Sequence, residues 1–112
     1  ALEFDYSEPI PDFNFIEKQW TERQDEFEKT VVAMHGRPGS DVFNNNVSKV
    51  FQRYITQYPG LQFCINAHDH RSTADDLFED GIIYYGSDCM KRRSYLLFTI
   101  TPDNYTYEVV YF

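Results

Sequence analysis

An α/β fold is what this sequence predicts, and three observations carry the prediction. The runs "TVVAMH" and "LQFCIN" are short, apolar and rich in β-branched or aromatic residues, as buried strands are. Each follows a segment with helical spacing, clearest in "NVSKVFQRYITQY", where Val47, Val50, Phe51, Tyr54, Ile55 and Tyr58 fall at i, i+3, i+4, i+7, i+8 and i+11. The C-terminal part has strands bounded by glycines and polar turns, with no helical spacing between them. The order helix–strand–helix–strand, then strands alone, implies two helices with two parallel strands followed by an antiparallel strand set.

Taken in order, the opening is acidic and interrupted by Pro9 and Pro11, so residues 1–13 form an irregular lead-in. "NFIEKQWTERQDEFEK" predicts a helix over Ile16–Glu28. Asn14 and Glu17 have capping-box spacing, and Ile16, Trp20 and Phe27 make a narrow apolar stripe. A strand follows over Val31–Met34, and "GRPGSD" breaks it into a loop. The second helix covers Val47–Tyr58 and is ended by Pro59 and Gly60. Strands are expected over Gln62–Ile65, Ile82–Tyr85, Tyr95–Thr101 and Tyr105–Tyr111, the last two joined by the turn "TPDN". In the last strand Tyr105, Tyr107, Val109 and Tyr111 share one face.

Length and composition bound the function. The 112 residues make a single domain or a partial one, and 42% hydrophobic with 18% aromatic residues is enough for a core. No apolar run approaches the roughly 20 residues that span a bilayer. A net charge of −8 argues against nucleic acid and anionic membranes as partners. A small anionic substrate stays open, because a bound metal reverses the local sign. Cys64 and Cys89 form neither a disulfide framework nor a CxxC pair and read as free thiols. "ALEFDYSEPIP" lacks the pattern of a signal peptide, and nothing assigns a compartment.

All three histidines stand at the ends of the first two strands: His35 closes "VVAMH", and His68 and His70 lie in "NAHDH". Ligands of open α/β sheets collect beyond the carboxyl ends of parallel strands. If the two strands are neighbours, the three imidazoles converge there. In extended backbone, His68 and His70 point the same way, and Asp69 points away or orients one ring. Neutral imidazole is a common metal ligand. Any one of these histidines alone reads as an ordinary surface or core residue; it is their joint placement that suggests a metal site.

These residues also resemble a family. "VVAMHGRPGS" is similar to the "vv-x-H-H-P-P" segment of calcineurin-like metallophosphoesterases, and "INAHDHR" to their "G-H-x-H" segment. The helix and strand between them match, as do the preceding helix and the C-terminal strands, so the resemblance runs from about Phe15 to the end. It departs at Ala67, where the family has Gly, and at Gly36, where a second His often stands.

The resemblance implies the C-terminal half of an αββα sandwich and hydrolysis of a phosphate ester by a hydroxide that two divalent ions (Mn, Zn, Fe or Mg) activate. His35 and His68 would ligate one ion and His70 the other. Arg37 and Arg71 are candidates to pair with a phosphate oxygen, a solvated loop position being the plain alternative for each. The family's Asp-x-His, Gly-Asp and Gly-Asn-His-Asp/Glu segments are absent from these residues. The chain alone is therefore expected to bind metal weakly or not at all and to be inactive. The expected partner is the N-terminal half of the same domain, or a second copy in a homo-oligomer, covering an exposed sheet face for which the tyrosine-rich C-terminal strands are the candidate. Two other readings stand beside this: a single-zinc hydrolase with three His ligands, and a non-catalytic interaction or oligomerisation module.

Overall fold

The computed structural model of the chain describes residues 10–26 and 28–112. It is mixed α/β, with helices α1 (Phe13–Arg23) and α2 (Ser48–Ile55) and strands β1 (Thr30–Ala33), β2 (Leu61–Asn66), β3 (Thr73–Asp75), β4 (Tyr84–Gly86), β5 (Ser94–Ile100) and β6 (Tyr105–Tyr111). Four strands form one sheet in the order β1-β2-β4-β3, and β5-β6 is a separate antiparallel hairpin.

Both expected helices form with shifted bounds, α1 ending at Arg23 and not Glu28 and α2 at Ile55 and not Tyr58. The cap of α1 is Asp12, whose Oδ1 accepts from the Phe15 N–H at 3.0 Å, so the helix begins before the Asn14–Glu17 spacing suggested. Phe27, expected on its apolar stripe, lies outside the described residues. A short 3-10 turn over Asn45–Val47, closed by the Asn44 side chain, leads into α2. Beyond Ile55 the chain tightens, Tyr58 N bonding Ile55 O, before Pro59.

The alternation along β2 decides the layers. Cys64 faces one side with Val32 and Tyr84, against Phe43, Val47, Phe51 and Ile55. Phe63 and Tyr85 face the other side and meet the hairpin. The Phe63 ring stacks on Phe98 at 4.4 Å, and the Tyr85 hydroxyl is 2.8 Å from that of Tyr105. The result is helices, sheet and hairpin in three layers. α1 packs on α2, with Phe13 edge-on to Tyr54 at 5.0 Å.

One strand expectation is corrected. β4 pairs parallel to β2, so it belongs to the parallel sheet and not to the antiparallel set. The reason is β3, a polar three-residue strand with no periodicity to read. It pairs antiparallel with β4 and turns the chain back alongside β2. The tyrosine-rich face is covered in part: Tyr105 and Tyr107 lean on Phe63 and Tyr85, while Tyr107 stays 42% and Tyr111 75% exposed, and the opposite hairpin face leaves Tyr95, Leu97 and Phe112 exposed.

Candidate metal centre

β1 and β2 are adjacent and parallel, and their ladder runs past both strand ends. Met34 N donates to Ile65 O at 3.0 Å, and Ala67 N donates to His35 O at 2.9 Å. That continued pairing sets His35 beside His68. The two rings lie 5.0 Å apart, centroid to centroid and edge-on, with His35 Nε2 and His68 Nδ1 separated by 3.1 Å.

The "HDH" stretch is not extended. His68 and His70 both have left-handed backbone, with φ of +71° and +53°, so the two side chains do not share a direction by strand alternation. Ala67 avoids that region; the turn a glycine would serve is taken one residue later, by histidine, which tolerates it better than most residues. His70 is exposed, and its carbonyl accepts from Arg92 Nη1 at 3.0 Å. Among the described residues the three histidines do not form a group of mutually close donor atoms; the group that does form is Asp41, His68 and Asp69.

Asp41 comes from the loop after β1. The Asn45 side chain ties that loop down, accepting from Gly39 N–H at 2.7 Å and donating to Ser40 O at 3.1 Å. Asp41 Oδ1 then lies 2.8 Å from His68 Nε2. This contact holds the Asp41 carboxyl below its ordinary range; partial desolvation opposes it, and the charge of His68 and the Ser40 hydroxyl add to it. The carboxylate against the His68 ring is therefore Asp41, while Asp69, expected either to point away or to orient one ring, faces Arg37. No sequence signal pairs an aspartate with a histidine 27 residues away; only the loop geometry does.

Arg37 is no solvated loop residue. Its side chain is 15% exposed, with Nε 3.6 Å from Asp69 Oδ2 and Nη2 3.9 Å from Asp75 Oδ2. Nε has no hydrogen-bond partner among the described residues. Arg71, in contrast, is exposed. Gly36 is closely packed: a Cβ there would lie 2.2 Å from Val42 Cγ2, so a second histidine after His35 has no room without moving Val42.

The donors present suit a divalent cation. Two imidazoles on one tetrahedral ion, each at about 2.0–2.1 Å, stand roughly 3.3 Å apart, close to the observed 3.1 Å, which is also an N–H···N hydrogen-bond length. Asp41, Asp69 and Asp75 make the surroundings acidic against Arg37. Beside the site, β1 is an edge strand, flanked by an apolar groove of about 890 Å³ lined by Phe15, Ile16, Val31, Met34 and Phe43 and reaching His35. No family model, curated protein or solved structure matches the chain.

Proposed function

We propose that this chain is the C-terminal part of a calcineurin-like, metal-dependent phosphohydrolase, completed by a partner segment that brings the remaining ligands. The single observation that carries the reading is the His35–His68 contact at the carboxyl ends of two adjacent parallel strands. His35 Nε2 and His68 Nδ1 would hold one divalent ion, and His70 would contribute to a second. When bound, such ions supply Lewis acidity toward water and phosphate oxygen. The exposed Arg71 would pair with a phosphate oxygen in this reading, whereas Arg37, already facing two carboxylates, fastens the histidine loop to β3. The three layers of helix, sheet and hairpin suit half of an αββα sandwich. The open β1 edge and its apolar groove offer a place where further strands of the same domain can pair.

The test joins the chain in frame to a segment bearing the Asp-x-His, Gly-Asp and Gly-Asn-His-Asp/Glu motifs. Hydrolysis of p-nitrophenyl phosphate and bis(p-nitrophenyl) phosphate is then followed with Mn²⁺, Zn²⁺ or Mg²⁺. The joined protein turns over, and His68→Ala abolishes the gain; the 112-residue chain by itself stays at background. Turnover by the isolated chain that needs His68 would favour the single-zinc reading. A folded, metal-loaded joined protein that stays inactive would favour an interaction module. That last reading has its own support in the apolar outer face of the hairpin, where Leu97 is 46% and Phe112 53% exposed.

A further inference from the structure

His68 uses both ring nitrogens, and the two contacts constrain each other. Nε2 is 2.8 Å from Asp41 Oδ1, and Nδ1 is 3.1 Å from His35 Nε2. An ionised carboxylate only accepts hydrogen bonds, so with neutral His68 the proton at this contact sits on Nε2. Nδ1 is then left as a lone pair aimed at His35. The other tautomer would place two acceptors 2.8 Å apart at Asp41 and put a proton where an ion must go.

We infer that Asp41 is a positioning residue for cation binding: it selects the Nε2–H tautomer of His68 and holds the ring so that Nδ1 faces the same point as His35 Nε2. This rests on the reading of His35 and His68 as ligands of one ion. A carboxylate on the far nitrogen of a ligating histidine fixes the ring and makes the ligand nitrogen more basic. Asp41 can do this without contributing to the core, since its side chain is 81% exposed and its loop is held by Asn45 rather than by Asp41 itself. Asp69 does not take this part, because its carboxylate faces Arg37.

The experiment titrates the metal-free 112-residue chain with Zn²⁺ by calorimetry, alongside His68→Ala, Asp41→Ala and Asp41→Asn. Long-range ¹H–¹⁵N spectra report which His68 nitrogen is protonated. His68→Ala should weaken Zn²⁺ binding by at least tenfold. Asp41→Ala should weaken it about 10–100-fold, the usual cost of removing such an outer carboxylate, with the melting temperature of the metal-free protein unchanged. Asp41→Asn, whose amide oxygen still accepts from Nε2–H, should recover part of the loss. The Zn²⁺-bound spectra should show Nε2 protonated and Nδ1 coordinated. If His68→Ala binds Zn²⁺ as wild type does, the ion reading fails and takes this inference with it. If no form of the isolated chain binds, the metal-free spectra decide, and a wild-type His68 protonated on Nδ1, or one whose tautomer Asp41→Ala leaves unchanged, overturns the inference. If His68→Ala weakens binding but Asp41→Ala stays within twofold, the inference alone is overturned. Coordination through Nε2 also overturns it, because Asp41 would then sit beside the ion as a ligand.

Discussion

Truncating Phe63 tests the packing that joins the hairpin to the parallel sheet. Phe63 is 2% exposed in the middle of β2. Its ring lies 4.4 Å from that of Phe98, 4.5 Å from Tyr105 and 5.6 Å from Tyr85, centroid to centroid. Phe63→Ala removes a fully buried ring and leaves a cavity between two layers that other elements hold in place, which costs about 3–5 kcal/mol. For a domain of this size that lowers Tm by about 12–25 °C. Part of the cost is pairwise: an aromatic contact adds about 0.5–1.5 kcal/mol beyond the area it buries. A double-mutant cycle of Phe63→Ala with Phe98→Ala should therefore show a coupling of that size. Leu97→Ala, on the exposed face of the same hairpin, is the control and should change stability by less than about 0.5 kcal/mol. Urea unfolding followed by circular dichroism measures the wild type and all four variants. A Phe63→Ala cost under about 1 kcal/mol, or no coupling to Phe98, would mean that the hairpin does not dock on this face and that the three-layer account is wrong.

Gly60→Ala should destabilise by more than about 2 kcal/mol in the same assay, since φ there is +57° and the new Cβ would lie 2.0 Å from the Glu28 carbonyl oxygen. Gly36→Ala should cost about 1–3 kcal/mol by overpacking, and Val42→Ala, which removes the Cγ2 it meets at 2.2 Å, should restore most of it. Burial pushes the Cys64 thiol up to about 12 from 9.0. The folded state keeps that proton when the unfolded chain has lost it, so this contribution to stability is complete below pH 9.0 and is lost as pH rises toward 12. A Cys64→Ala protein should show a shallower alkaline loss in a melting series over that range. In the folded wild type at neutral pH, a thiol reagent should label the half-buried Cys89 long before Cys64.

What the sequence determined by itself was local. The spacing of Val47, Phe51 and Ile55 made α2, because an apolar stripe at helical period has to be buried whatever it meets. The apolar runs behind each helix made β1 and β2, and the alternation of β6 made its two faces. His35 and His68 were readable as a pair because strand ends and parallel pairing follow from the helix–strand order. The tertiary structure decided what depends on distant residues. β4 became a parallel strand because the three-residue β3 turned the chain back beside β2, and nothing in "TAD" announces that pairing. His70 parted from His68 because both adopt left-handed backbone, a property set by how the loop closes and not by residue spacing. Arg37 lost its solvent to Asp69 and Asp75, and Asp41 became the partner of His68 across 27 residues. In each case the deciding contact joins segments far apart in the chain, where one-dimensional periodicity carries no information and only the folded geometry chooses the partner.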